Sequence, residues 1–161
     1  MEQLPDQPTQ VQADYAGFWL RLAAYIIDYF VIGFVLGGIV VFVGLAMGIS
    51  AAAFDDIDNS ANQLLIITLS TVLGIVSLVA TWLYYALLEC SSYQGTLGKM
   101  ALSLKVTDMD GARISFSRAT GRFFGKFLSS LILYVGYFMI GFTERKQGLH
   151  DILSGCLVLR K

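Results

Sequence analysis

The stretch RLAAYIIDYF sets an arginine, Arg21, and an aspartate, Asp28, seven positions apart at the start of a long apolar run. Seven helical residues turn through about 700° and advance about 10 Å, so the two side chains share a face yet lie too far apart for a direct bond. Helical side chains lean toward the amino end, which turns Arg21 away from Asp28; each therefore needs a third group on another segment. An ionised carboxylate in an apolar span costs at least about 2.5 kcal/mol, and some gain must offset it. Three readings are open. Asp28 braces a returning segment through a basic group or backbone amides, or it sits in a wet cavity and binds or relays an ion or proton, or it reaches headgroup water.

Other stretches invite a chemical reading and fail it. QGTLGKM lacks the Gly at position 93 and the Ser or Thr at 100 that a phosphate-binding loop requires, having Tyr93 and Met100 instead, so nucleotide binding is rejected. The only histidine, His150, stands beside Asp151 in LHD; one such pair reads as a cap or local hydrogen bond rather than a metal site. With one histidine and scattered serines, no nucleophile with its base is evident, and the chain is not expected to be an enzyme or to carry a cofactor. Cys90 and Cys156 form no CxxC pattern and read as free thiols.

The elements that hold these residues are built for lipid. Of 161 residues, 56% are hydrophobic and 14% charged, against about 25% charged in a soluble domain. The net charge of −1 points to neither nucleic acid nor an acidic partner. No charged side chain occurs from Tyr29 to Phe54 or from Leu64 to Leu88. About 20 helical residues cross a hydrocarbon layer of about 30 Å, so both runs span. We expect helix one over 18–49 and helix two over 64–88. The first 14 residues hold both prolines, three acids and no Lys or Arg, which reads as a disordered cytoplasmic tail and not as a signal peptide.

The linker at 51–63 has no basic residue, whereas 89–126 has six, so the bias of basic loops toward the cytoplasm puts the amino terminus inside. Within this basic region, 89–122, LSLKVTDMDGARISF alternates, turns near DMDG and resumes at Ile114 and Phe116, a signal for a small cytoplasmic β-hairpin; GCLVLRK could add a third strand. A third membrane segment over 123–142 holds the 16-residue block Phe127 to Phe142, about 24 Å of helix, and the tail 143–161 carries Arg145, Lys146, Arg160 and Lys161. It either re-enters and returns, breaking near Gly136, or makes a short third crossing. The fold class is an all-α polytopic membrane protein.

Gly33, Gly37, Gly44 and Gly48 fall on one ridge of helix one in two GxxxG spacings, and Ser70, Gly74, Ser77 and Thr81 make a small polar stripe on helix two. The two serve packing within one chain or contact between copies; both remain open.

In order and spacing, AGFWLRLAAYIIDYF, GTLGKMALSLKVTDMDGARISFSRATGRF and RKQGLHDILSGCLVL resemble the bacterial RDD family, named for one arginine and two aspartates, over about residues 15 to 160. By that resemblance the arginine is Arg21, the first aspartate Asp28 and the second Asp151; Leu97 stands where proline is frequent. The resemblance implies a multi-pass protein of the inner (plasma) membrane, with suspected transport of undefined substrates. Two or three apolar segments hardly enclose a path alone, so a transporter of an ion or small solute needs several copies or a partner. The alternative is a non-transporting scaffold or accessory subunit that docks partner proteins. Either way the lipid bilayer is the first partner. If Asp151 acts with Arg21 and Asp28, the third block must return, letting Asp151 reach Arg21 while Asp28 meets polar groups of the dipping segment.

Overall fold

A computed structural model of the protein describes residues 14–46, 60–131 and 135–161. Most of the amino-terminal tail, Gly48 and most of the acidic linker lie outside the described residues. Two long helices dominate: α1, Phe18–Ala46, of 29 residues, and α2, Ser60–Cys90, of 31. At about 1.5 Å per residue each exceeds the hydrocarbon thickness, and within each a stretch of 28 residues is apolar enough to cross. Their outer surfaces are almost bare of protein, with Phe34 86% and Phe42 72% exposed. A soluble monomer does not display apolar faces on that scale, so lipid covers them. The protein is an all-α membrane protein with a small antiparallel sheet.

Everything after α2 gathers at one end of this pair: α3, Leu97–Ala101; β1, Leu104–Asp108; α4, Phe116–Leu131; α5, Val135–Phe142; α6, Leu149–Ser154; and β2, Cys156–Arg160. The strands pair antiparallel from Leu104 opposite Arg160 to Asp108 opposite Cys156. The amino end joins them, the Ala16 amide donating to the Val158 carbonyl at 2.9 Å and the Arg160 amide to the Asp14 carbonyl at 2.9 Å. Around this sheet lies the core of Ala16, Ala24, Ala86, Leu104, Val106 and Val158.

The expected turn at DMDG is present: Asp108 Oδ1 accepts the amides of Asp110 at 3.0 Å and Ala112 at 2.8 Å, and Gly111 takes φ +82°. The segment after the turn is not a returning strand. Phe116 opens α4, since FSRATGRFFGKF sets its apolar residues at helical rather than alternating spacing. The sheet instead takes its second strand from Cys156–Arg160, the segment read as an optional third strand.

Neither α4, at 16 residues, nor α5, at 8, is long enough to cross. α4 lies against α2, where the Trp82 indole donates to the Thr120 hydroxyl at 3.3 Å and the Tyr85 and Phe123 rings stand 6.0 Å apart. α5 comes back to the start of α1, with Phe138 stacked on Phe18 at 5.8 Å. The third block therefore returns to the end from which it left.

The two spans touch each other far less than each touches these short elements. A Cβ added at Gly33, Gly37, Gly44 or Gly74 would meet nothing within 4 Å. The ridge on α1 is thus not packed by the described part of this chain. Ser70 bonds only its own helix, donating to the Ile67 carbonyl at 3.0 Å.

Candidate functional site

Two polar constellations sit at the folded end, and each uses one residue of the Arg21, Asp28 pair. Asp28 is 1% exposed. Its Oδ1 accepts the Tyr84 hydroxyl at 2.7 Å and the Gly98 amide at 2.7 Å, while Oδ2 accepts the Thr96 hydroxyl at 2.5 Å. The Leu97 amide in turn donates to the Tyr84 oxygen at 3.2 Å. The GTLGK loop thus presents its backbone to an anion after all, but that anion is the chain's own carboxylate, brought by α1 to the start of α3. The approach demands glycine: a Cβ at Gly98 would lie 2.1 Å from the Ala24 carbonyl oxygen. A near-miss to a phosphate loop was legible in the sequence, but not the identity of its occupant.

The second constellation is a chain of buried ion pairs. The Arg21 guanidinium donates through Nη1 to Asp151 Oδ2, through Nε to the Ala16 carbonyl at 2.9 Å and through Nη2 to the Lys146 carbonyl at 2.6 Å. Asp151 Oδ1 accepts Arg122 Nε at 2.7 Å; Arg122 Nη1 donates to Glu89 Oε2 at 3.0 Å; and Lys99 Nζ donates to Glu89 Oε1 at 2.5 Å. Asp151 also caps its own helix, accepting the Gly148 amide at 3.2 Å. The run Arg21, Asp151, Arg122, Glu89, Lys99 ties α1, α6, α4, α2 and α3 into one body. Among the described residues no buried side-chain nitrogen or oxygen lacks a partner. Each charge is costly alone and tolerable only as part of this chain.

The surroundings tune the members outside the spans. Burial alone would lift the Asp151 carboxyl, but Arg122 and then Arg21 outweigh it and hold it well below the usual carboxylate range. Burial, reinforced by Arg122 and opposed by Glu89, pushes the Lys99 ammonium down to about 7. Burial pushes His150 down to about 3, more than Asp151 restores, so its ring stays neutral.

His150 also invites a catalytic reading, because Ser129 Oγ lies 3.5 Å from its Nδ1 and Asp151 Oδ1 lies 3.5 Å from its Nε2. Both separations are beyond productive hydrogen bonds. Ser129 already donates to the Gly125 carbonyl at 3.0 Å and is fully buried, and Asp151 is held by two arginines. Ser129 and His150 join α4 to α6, and the Tyr137 ring of α5 packs on His150 at 5.1 Å. Among the described residues no group of His, Cys, Asp and Glu could hold a metal.

Beside these constellations lies open space. A mostly apolar cavity of about 420 Å³ opens among Phe18, Leu22, Phe138 and Ile140, with Arg21, Asp28, Lys99, Arg122 and His150 also in its walls. A second, of about 590 Å³, lies between the spans, bounded by Ile32, Leu36, Ser77, Leu78 and Phe127. Tyr25, Tyr85, Lys126 and Tyr137 wall both. Lys126 Nζ stands 4.1 Å over the centre of the Tyr85 ring. Together they form a groove along α1 from Phe18 to Leu36, about 27 Å of helix.

Of the residues named from sequence, then, Arg21 and Asp151 meet; Asp28 lies apart from them, and its partners are not in the third block as expected but Tyr84 of α2 and Thr96 and Gly98 of the GTLGK loop, whose amides lie closer to hand. Gly33 and Ser77 border the second cavity, Gly37, Gly44 and Gly74 stand open, and Gly48 lies outside the described residues. Sequence reasoning passed over Glu89, Lys99, Arg122 and Lys126 as span limit and orienting charges. The signal was there in Arg122 and Lys126, four apart within RFFGKF, a helical spacing that puts two cations on one face among aromatics.

A family profile described as the RDD family matches residues 15–155. The uncharacterized protein YxaI of Bacillus subtilis (strain 168) is 38% identical over 149 residues, covering 91% of this chain and 97% of the relative. The uncharacterized membrane protein YteJ of the same organism is 25% identical over 163 residues, covering 98% of this chain and 88% of that protein. The uncharacterized protein RP437 of Rickettsia prowazekii (strain Madrid E) is 34% identical over 70 residues, 42% of this chain and 38% of that one. No solved structure matches.

Proposed function

The chain belongs to the RDD family, and from that premise we propose that it is a transport-related protein of the bacterial plasma membrane, handling a small solute in the groove beside α1. The observation that carries this reading is the pair of cavities that share Tyr25, Tyr85, Lys126 and Tyr137 as walls, one at the folded end, mostly apolar with charged side chains among its walls, the other running between the spans. Its family residues, Arg21, Asp28 and Asp151, act as the brace that holds the groove's walls and not as solute ligands, because their charged atoms are already taken up by protein. Two spans that touch little enclose no pore, so the protein works with a second copy or a partner helix, and the open face at Gly37 and Gly44 offers the close approach such a contact uses. The folded end, with its six basic residues between 89 and 126, faces the cytoplasm together with the amino terminus. The reading includes no enzymatic step and no cofactor.

The saturation of the family charges also favours a second reading, a membrane scaffold that moves nothing. The two separate in reconstituted vesicles offered sodium, rubidium, a fluorescent organic anion and a fluorescent single-chain lipid. Passage of any of these in proportion to protein, reduced by Leu36→Trp in the groove wall, supports transport. No passage by any of them from protein that melts cooperatively sinks it and leaves the scaffold.

A further inference from the structure

Lys126 is a cation in the wall of both cavities that the ion-pair chain does not absorb. No carboxylate lies within the 4.0 Å of an ion pair from its ammonium among the described residues. Glu89 is held by Arg122 and Lys99, Asp151 by Arg21 and Arg122, and Asp28 by its three donors. The face of Tyr85, 4.1 Å away, compensates only in part, since a ring quadrupole is a weaker partner for a cation than a carboxylate. Beyond Lys126 the second cavity is mainly apolar, lined by Ile32, Leu36, Leu78 and Phe127 with the hydroxyl residues Ser77, Thr81 and Ser130 between them. From Tyr25 to Leu36 it follows twelve residues of α1, a rise of about 16 Å, against about 15 Å for one leaflet of hydrocarbon. The slot thus has a cation at the folded end and a mainly apolar body that follows α1 for about the depth of one leaflet, the polarity of a lipid. Its volume of about 590 Å³ is that of a small-molecule site, and the weak contact between α1 and α2 leaves it a lateral entrance.

We infer that this slot binds a single-chain anionic amphiphile, its phosphate or carboxylate head paired with Lys126 and its acyl chain lying along α1 toward Leu36. The inference rests on the groove being the solute site and names the class of solute. Lys126 supplies the charge, the first cavity gives the head room, and the tyrosines at the junction, Tyr25, Tyr85 and Tyr137, form the collar between head and chain.

The test is equilibrium binding to the purified full chain in a neutral detergent, with radiolabelled lysophosphatidate as probe and oleate as the carboxylate counterpart. Alkyltrimethylammonium of matched chain length and glycerol phosphate are the controls. Saturable binding of both long-chain anions is expected, with the cation and the chainless phosphate weaker by about tenfold or more. Lys126→Met should weaken the anions by about tenfold, the scale of one charged contact, without weakening the cation, and Lys126→Arg should restore them. Leu36→Trp should weaken every long chain. Equal affinity for anion and cation, or glycerol phosphate binding as tightly as lysophosphatidate, overturns the inference on the unaltered protein, whatever becomes of the variants. So does undiminished binding in a cooperatively melting Lys126→Met protein. Amphiphile binding without passage across vesicles would end the transport reading and keep the site; passage of ions without amphiphile binding would do the reverse.

Discussion

Neutralising Asp28 decides between a brace and an ion site, because the two make opposite predictions for stability. A carboxylate kept in an apolar span to bind ions is a standing cost, and Asp28→Asn would relieve it. A carboxylate that holds the α3 loop is a tie, and the same change would loosen it. The structure gives the size of the loss. Tyr84, Thr96 and Gly98 donate to Asp28 at 2.7, 2.5 and 2.7 Å, and Asn keeps one acceptor oxygen for Tyr84 and Gly98. Its amide must face the Thr96 hydroxyl, which can turn to accept it, so what disappears is chiefly the charge assistance. That is worth about 1.5–3 kcal/mol, or an apparent melting point lower by about 3–12 °C in a chain of this length. Asp28→Leu strands all three donors and should cost more, at least about 3 kcal/mol. Thermal unfolding of the purified protein, followed by intrinsic fluorescence in one detergent, ranks the three as parent, Asn, Leu. An Asp28→Asn protein as stable as the parent, or more so, would refute the brace.

Other expectations come from the same geometry. Gly98→Ala puts a methyl 2.1 Å from the Ala24 carbonyl oxygen, so α3 must shift off α1; a loss of about 1–3 kcal/mol or more should appear as a lower melting point, and an unchanged one would show that the loop does not sit against α1. His150 is neutral in the fold down to about pH 3 and protonates at 6.5 when exposed. The unfolded chain therefore binds more protons between those values, and stability should fall as pH drops through that window. His150→Gln should flatten the decline measured between pH 6.5 and 4.5, and an equally steep decline would contradict the assignment. Because the Arg160 amide donates to the Asp14 carbonyl, topology reporters fused at the two termini should report the same side of the membrane; opposite sides would be incompatible with the sheet that joins them.

The spans were readable because a run free of charge and longer than the bilayer has few other solutions in water or lipid. Charge pattern and length both favoured a returning third block while leaving a short crossing open, and the stacking of Phe138 on Phe18 and the shortness of α4 and α5 decided it. The sheet was half legible. Alternation and the DMDG turn marked β1, but its partner begins 48 positions after Asp108, and periodicity carries no record of which strand pairs with which. Asp28 announced itself as a carboxylate in need of compensation, while its supplier, the GTLGK loop, reads in the sequence only as a failed phosphate loop. Glu89, Lys99 and Arg122 were hardest to see, since charges at the edge of a span serve orientation equally well and only their three-dimensional convergence gives them a structural role.

A double-mutant cycle between Arg21 and Asp151 probes the brace at its most distant link in sequence. Melting free energies of Arg21→Met, Asp151→Asn and the double variant, measured against the parent under one condition, give the coupling. If the two side chains hold each other as the structure places them, the double variant loses less than the sum of the singles, by about 1–3 kcal/mol. Strictly additive losses would mean that the arginine and the second aspartate of the family motif act apart, and the brace would fail at its centre.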